Sequence, residues 1–457
     1  MKKDDGNVPL SVELALARLI PGWPEARLCV ALSGGVDSVT LLHVCHGIRA
    51  TRPTVRLRAA HVHHGLQPAA DEWQARCQAL CARLEVPFDV LKLELSFRPG
   101  ASIEAVARDA RYLALQALLE PGEALLTAHH LDDQLETVLI QLFRGAGVAG
   151  LAAMPAATQR GHGLHVRPLL GVTRAAIEAY AGVAGLDWVE DPMNASQRFD
   201  RSLLRREITP KLRARWPSVA RSVARSARHF AGALRLLDEL AGLDAAGALD
   251  DGRLLISHVR ALPRPRQANL LRWWLRCCGL DAPSTARLES ILDNLIPARA
   301  DAQPVVTWNS GEVRRHRDRL YAMQPIGRVA NGTWTLDPGR TLAIEGVGTV
   351  TLVVGAGTGI SAARFPGPFE LRLRKGGERL LPAGQPAEKS VTRLLREADT
   401  EPWLRGRVPL IYSHGLLLAV GDLWIAAKAA AAPDEPSFAV RWTRSVRHNP
   451  GRPEPKV

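Results

Sequence analysis

Three groups of side chains in this sequence are spaced for phosphate and cation chemistry. The first is Ser33-Gly34-Gly35-Val36-Asp37-Ser38, which lies between an apolar run (Leu28 to Leu32) and a stretch of helical apolar spacing (Val36 to Ile48). Two glycines let a backbone turn sharply and approach a ligand with no Cβ in the way. The loop amides and the positive end of the following helix then aim at one point, which suits an anion. Ser33 and Ser38 add hydroxyl donors, and Asp37 sets a carboxylate where a bound Mg²⁺ would sit. No Gly-Lys-Ser/Thr follows, so this is not the Walker loop. Alone, the pattern would also fit a plain glycine turn of a doubly wound sheet.

The second group is His129-His130-Leu131-Asp132-Asp133-Gln134-Leu135-Glu136-Thr137. On a helix, Asp132 and Asp133 precede Glu136 by four and three residues, so the three carboxylates crowd one end of one face. Acids this close repel unless a cation compensates. Their hard oxygens suit Mg²⁺, and they would also hold a substrate ammonium. The plain alternative is an acidic first turn that stabilises its own helix.

The third group is basic. Arg108 and Arg111 stand three apart on one helix and can meet phosphate or carboxylate oxygens bidentately, or form an exposed ion-pair face. The arginine-rich run from Arg198 to Arg215 reads as a phosphate-facing strip or a solvated helix. His61, His63 and His64 cluster at a strand end, which invites a base-stacking or ATP contact. Gly145, Gly147 and Gly150 follow the acidic helix as a substrate gate or a plain helix stop.

The elements that must position these groups alternate. A lead-in helix is expected at 10–20. Strands are expected at 28–32, 55–63, 87–95 and 123–128. Helices are expected at 36–48, 70–84, 102–119 (capped by Ser102, with Glu104 early) and 131–143. This rhythm argues a doubly wound, mainly parallel α/β sheet with ligands at the strands' carboxyl ends. The Gly-Gly loop and the His-His segment both fall at such ends and can share one crevice. Beyond Trp216 the spacing turns helical (218–243, 265–278, 284–296), with Trp273 and Trp274 as core residues, and a hairpin follows at 305–323. A small α+β domain closes the chain. The expected divisions are a catalytic domain at 1–215, a helical domain at 216–330 and a linker with hairpins at 331–365. A C-terminal domain at 366–440 and a basic, disordered tail at 441–457 complete them.

At 457 residues and 46% hydrophobic, the chain can bury two or three cores. It has no apolar run long enough to span a membrane and no signal-peptide stretch after Met1, so cytoplasm is the expected compartment. The six cysteines contain no Cys-x-x-Cys. Cys77 and Cys81 share a helix face but lack partners at zinc-ligand spacing, which argues buried reduced thiols. The net charge of +13 favours a polyanionic partner, although a GC-rich coding sequence also raises arginine content.

The Ser-Gly-Gly-x-Asp-Ser loop resembles that of the N-type ATP pyrophosphatases. Joined to His61-Val62-His63-His64-Gly65-Leu66 and the His-His-x-Asp-Asp-x-x-Glu-Thr segment, it makes the chain resemble the tRNA(Ile)-lysidine synthetases. Further blocks carry the likeness: Ala107-Arg108-Asp109-Ala110-Arg111-Tyr112, Arg144-Gly145-Ala146-Gly147 with Gly150-Leu151, and Arg167-Pro168-Leu169-Leu170. Trp188-Val189-Glu190-Asp191-Pro192 with Asn194, Arg198-Phe199-Asp200-Arg201 and Arg205 complete it. Met193 stands where the family usually has Ser, and Ser202 where it often has Asn. The likeness is strong over residues 24–215 and moderate over 370–427.

The resemblance implies ATP and Mg²⁺ as cofactors, with L-lysine and an isoleucine tRNA bearing a CAU anticodon as partners. It implies adenylation of the wobble cytidine followed by attack of the lysine amine. Asp37, Asp132, Asp133, Glu136 and Arg108 would be catalytic. Glu136 would bind the lysine ammonium or help deprotonate it. Ser33, Gly34, Gly35, Val36, Asp37, Ser38 and His61 would bind ATP, with Asp37 and Asp133 on the metal. Arg111, Arg144, Arg201 and Arg205 would contact tRNA, as would Arg374, Lys375, Arg379, Lys389 and Arg393 of the C-terminal domain. Arg221, Arg225 and Arg228 could add one basic face, and a homodimer is possible. Two rivals stand beside this reading. A tRNA thiolase of the same class would carry Cys-x-x-Cys or a catalytic cysteine beside the loop. An inert tRNA-binding module would tend to lose Asp37, Asp132, Asp133 and Glu136, all present here.

Overall fold

Strand β1 (Arg27–Ala31) buries Leu28, Cys29 and Val30 in succession, the pattern of a strand covered on both faces, in the computed structural model of the chain. The structure describes residues 7–63, 65, 70–93, 103–189, 200–299, 302–329 and 332–445. His64, Leu66, Ser102, the stretch from Glu190 through Met193 and Asn194 to Phe199, and everything after 445 lie outside the described residues, as does the side chain of Glu104. The chain divides into two units, 1–236 and 237–457.

In the first unit α1 (Val8–Leu19) starts at Asn7, whose side chain accepts the Leu10 N–H at 3.0 Å. It buries Val8, Val12 and Leu16, one helical stripe. Then come α2 (Val36–Thr51), β2 (Arg56–His63), α3 (Ala70–Arg83), β3 (Phe88–Lys92), α4 (Ile103–Leu118), β4 (Glu123–Leu126) and α5 (Leu131–Phe143). After α6 (Val148–Leu151), a β-hairpin of β5 (Ala157–Arg160) and β6 (Gly163–Val166) leads to α7 (Arg174–Val183). The strand order is β3-β2-β1-β4-β6-β5, parallel except for β5. From β1 the chain steps outward through β2 and β3, then returns to place β4 on the other flank of β1. The order therefore reverses between β1 and β4, where a doubly wound sheet opens its ligand crevice. Val30 pairs with Leu126, so the loop after β1 and the segment after β4 leave the sheet at one level.

Downstream, α8 (Asp200–Leu203) runs into a π-helical turn at Leu204–Ile208 and on into α9 (Thr209–Arg215). Such turns recur at functional sites because they re-aim a side chain within a helix. Helix α10 (Val219–Ala245) carries the chain into the second unit.

The second unit departs from the expectation of a helical domain. Helices Ile256–Ala261, Arg264–Cys277 and Thr285–Ser290 pack with a five-stranded antiparallel sheet, to which the expected hairpin contributes three strands. Trp274 is core as expected, and its indole N–H donates to the Gly252 carbonyl at 2.8 Å. The stretch expected as a linker with hairpins holds strands, but Gly348–Ala356 pairs along nine positions with Pro436–Arg444, so Arg441 to Arg444, expected in a disordered tail, belong to a strand. That pairing joins segments far apart in sequence, which local patterning does not reveal.

Candidate active site

Gly34 has a φ of +91°, and a Cβ there would stand 3.3 Å from Cys77 Sγ, so the turn requires glycine. Gly35 is the N-cap of α2 and offers no side-chain cap, which leaves the first-turn amides of α2 for a ligand. The Ser38 hydroxyl accepts the Ser33 N–H at 3.2 Å and donates to the Gly35 carbonyl at 3.0 Å. Its single proton is thereby used, so Ser33 Oγ donates across the 3.1 Å contact between the two hydroxyls. Ser38 is buried and pins the loop, while Ser33 is exposed. His61 lies beneath: its ring is buried, and Nδ1 donates to the Leu32 carbonyl at 2.8 Å. Burial holds that imidazole below its ordinary pKa. His61 thus braces the strand end that launches the loop.

Cys77 places a sulfur beside the loop, which sequence spacing did not announce. It is buried, and burial pushes its thiol up to about 12, so it is a packing group rather than a nucleophile.

Across the crevice α5 begins at His130. The His130 N–H donates to Asp133 Oδ2 at 3.0 Å, and the Asp132 N–H donates to His130 Nδ1 at 3.2 Å. A neutral ring accepting at Nδ1 carries its proton on Nε2. That atom lies 3.7 Å from Asp37 Oδ1 and 3.5 Å from Asp133 Oδ2. One imidazole therefore joins the loop helix to the acidic helix. Sequence reasoning singled out the acids but not His130; its place directly before Asp-Asp, at the N-cap, was the available signal.

The three acids of α5 are all buried, and each has a different environment. Asp132 accepts the Arg174 N–H at 2.8 Å and an Arg213 guanidinium bond, so it ties α5 to the start of α7 and to α9. Glu136 is gripped bidentately by Arg205, through Nε at 2.8 Å and Nη2 at 3.0 Å, and the same Nη2 reaches Asp133 Oδ1 at 2.9 Å. The π-helical turn that carries Arg205 sets this fork. Asp133 would be raised by burial alone, but His130, its backbone N–H, His129 and Arg205 together hold it below the ordinary carboxylate range.

Asp37 is the opposite case. Its Oδ1 is buried with no hydrogen-bond partner among the described residues. Burial raises its carboxyl above the ordinary value in spite of His130 and Arg174. A carboxylate oxygen left in that state fits a divalent cation. No three potential ligand groups converge among the described residues. Mg²⁺ needs no such cage, because it takes one or two carboxylates and completes its shell with phosphate oxygens and water.

Of the expected tRNA contacts in this unit, Arg111 lies over the Tyr112 ring at 5.4 Å and Arg201 donates to Thr137 Oγ1 at 3.0 Å. Both cations oppose protonation of the partly exposed His129. Arg108 is exposed on α4, and its field reaches Arg167. Arg144 pairs with Asp200 at the surface, 3.2 Å away.

In the second unit Arg374 donates to Thr392 Oγ1 at 2.8 Å and lies 3.6 Å from Glu378. Arg379 pairs with Glu388 at 2.8 Å, and Lys389 and Arg393 both pair with Glu397 at 2.8 Å. The Lys375 side chain is exposed.

Comparison with known proteins gives three family matches: a PP-loop domain over residues 10–212, a TilS substrate binding domain over 254–321 and a TilS substrate C-terminal domain over 369–442. The tRNA(Ile)-lysidine synthase of Methylococcus capsulatus is 42% identical over 441 residues, spanning 95% of this chain and 99% of its own. That of Coxiella burnetii is 42% identical over 401 residues, spanning 87% and 88%. Among solved structures, the U34-tRNA thiolase NcsA from Methanococcus maripaludis aligns at 17% identity and a TM-score of 0.41, covering 49% of this chain and 77% of its own.

Proposed function

Because this chain belongs to the tRNA(Ile)-lysidine synthase family, we propose that its crevice activates the wobble cytidine of a CAU-bearing isoleucine tRNA with ATP and joins it to L-lysine. The enzyme is a carbon–nitrogen ligase with a PP-loop ATP-binding domain. The observation that carries the assignment of the crevice is the meeting of Asp37 and Asp133 on one imidazole at the point where the strand order reverses.

The chemistry sets the demands. A ring carbonyl oxygen is a poor leaving group. It first attacks the α-phosphorus of ATP; the bond to the pyrophosphate oxygen breaks and pyrophosphate departs. The lysine ε-amine then attacks the ring carbon, and AMP leaves with the former carbonyl oxygen. The amides of Gly34 to Val36 and the open first turn of α2 hold the departing pyrophosphate. Ser38 keeps that loop in shape, holding both the Ser33 N–H and the Ser33 hydroxyl. Asp37 and Asp133 would hold Mg²⁺, which supplies neutralisation of charge developing on phosphate oxygens.

The amine must lose a proton before it attacks. Glu136 is the carboxylate proposed to bind or deprotonate it, and Arg205 is the cation that occupies Glu136 beforehand. On this reading Arg205 serves the acidic helix as well as tRNA. Arg108, Arg111 and Arg201 border the crevice with positive charge suited to the nucleotide. Arg144 and the C-terminal Arg374, Lys375, Arg379, Lys389 and Arg393 are proposed phosphate contacts. The pairs around Glu388 and Glu397 are exposed enough to exchange a carboxylate for a phosphate. The cytoplasm, where tRNA and free lysine occur together, is the proposed compartment.

The experiment mixes the full chain with ATP, Mg²⁺ and the isoleucine tRNA, without lysine. Stoichiometric pyrophosphate release followed by AMP release on adding lysine is expected. Pyrophosphate that appears only once lysine is present would overturn the proposed order of steps.

A further inference from the structure

We infer that His129 is a fixed-tautomer N–H donor to an oxygen of the nucleotide substrate, with its tautomer set by Arg167 and His165 acting through Thr127. The sheet brings these residues together. Leu126 pairs with Val166, and the Thr127 N–H donates to the Val166 carbonyl at 3.0 Å, so Thr127 stands beside His165 at the carboxyl ends of β4 and β6. The Thr127 hydroxyl lies 2.8 Å from His165 Nε2 and 2.9 Å from His129 Nδ1. One hydroxyl proton cannot serve two acceptors, and among the described residues it has no acceptor besides these two rings, so one ring donates to Thr127 and the other accepts from it.

Arg167 decides which. Its Nη1 donates to the Pro155 carbonyl at 2.8 Å and its Nη2 lies 3.4 Å from His165 Nδ1. A guanidinium only donates, so His165 Nδ1 is an acceptor. A neutral His165 then carries its proton on Nε2 and gives it to Thr127 Oγ1. The Thr127 hydroxyl donates to His129 Nδ1, and the proton of His129 is left on Nε2.

Both rings stay neutral: burial pushes His165 and His129 down to about 3, and Arg167 opposes protonation of each. Arg111 and Arg201 add to the effect at His129, while Asp133 works against it. His165 is fully buried, whereas His129 is partly exposed and its Nε2 has no hydrogen-bond partner among the described residues. A neutral imidazole N–H donates without surrendering its proton, so it can hold a carbonyl or phosphoryl oxygen while charge develops there. His129 would be a catalytic residue; Thr127, His165 and Arg167 are positioning residues.

This inference rests on the proposal that the crevice binds the nucleotide, and its first test needs no turnover. Nitrogen-15 spectra of the full chain labelled at histidine should give His129 and His165 an acceptor-type Nδ1 and a protonated Nε2, unchanged between about pH 6 and about pH 8. A proton on Nδ1 of His129, or titration of either ring in that range, overturns the inference whatever the activity. Thr127→Val should lower kcat about tenfold or more, with KM for lysine unchanged and the His129 tautomer mixed. Thr127→Ser, which keeps the hydroxyl, should rescue both. A Thr127→Val enzyme with wild-type kcat contradicts it. In His129→Gln, weaker ATP binding would identify a phosphoryl oxygen as the acceptor, and a defect confined to the tRNA-dependent step would identify the base carbonyl. Full activity of His129→Ala would remove His129 from the mechanism.

Discussion

Glu136 and Glu397 each accept a bond from a basic side chain at 2.8 Å, yet Glu136 is 1% exposed and Glu397 is 40% exposed. The Glu136 carboxylate was removed from water when the domain folded, and Arg205 holds it as a fixed partner. Around Glu397 the charges remain hydrated and their pairing is exchangeable. Distance alone does not distinguish them. Burial does, because charges taken out of water are strongly coupled to their partners, while exposed pairs contribute little. The first arrangement suits chemistry at fixed atoms, and the second suits a long polyanion bound through many weak contacts.

The largest effect that sharpens this contrast belongs to Asp37. Asp37→Asn should lower tRNA-dependent pyrophosphate release by about a thousandfold. Because a carboxylate with one orphaned buried oxygen is removed, the thermal midpoint should hold or rise. A midpoint that falls with the activity would make Asp37 a structural residue.

Next comes Arg205→Met, which strands Glu136 in the interior. Urea unfolding should show a loss of about 3 kcal/mol, the lower end for a broken buried pair, since Arg205 itself is a third exposed. Adding Glu136→Gln should restore part of it, and a double-mutant cycle with no coupling would contradict the fork.

The pH dependence separates the two aspartates. Asp133 has a depressed folded pKa, so its contribution to stability is present above the unfolded carboxylate range (about 4) and is lost as pH falls through the folded value. Asp37 has a raised folded pKa, so its ionisation lowers stability as pH rises from about 4 through that value. Urea midpoints measured from about pH 6 to about pH 3 should therefore change in opposite directions in Asp133→Asn and Asp37→Asn relative to the parent. Parallel changes would mean that the environments are misassigned.

The smallest effects belong to the second unit. Lys389→Ala and Arg379→Ala should move the thermal midpoint by less than about 1 °C. Each should weaken tRNA binding and reduce the salt dependence by about one phosphate contact. An unchanged salt dependence would mean that these pairs do not meet the backbone.

Sequence revealed much of the first unit and less of the second, for one physical reason. The loop, the acidic helix and the strands that launch them are short-range patterns: an apolar run, a glycine turn and a cap. They placed Asp37 and Asp133 on one crevice. What sequence could not give was which acid would be satisfied, because Arg174, Arg205 and Arg213 reach the α5 acids from more than 40 residues away. The strand-like text at 331–365 suggests local hairpins, and it does not show that 348–356 pairs with 436–444, because that partner is equally remote. The strand-end position of His61 suggests an ATP contact; its Nδ1 bond to the Leu32 carbonyl adds a bracing role that spacing alone does not show.

The most direct measurement is ATP-dependent incorporation of labelled L-lysine into isoleucine tRNA with a CAU anticodon, with methionine tRNA as the control. Label in the isoleucine tRNA alone, lost in Asp37→Asn, is the predicted result. ATP turnover that requires the isoleucine tRNA but leaves no lysine on it would contradict the account, retaining the nucleotide crevice and assigning it a different modification.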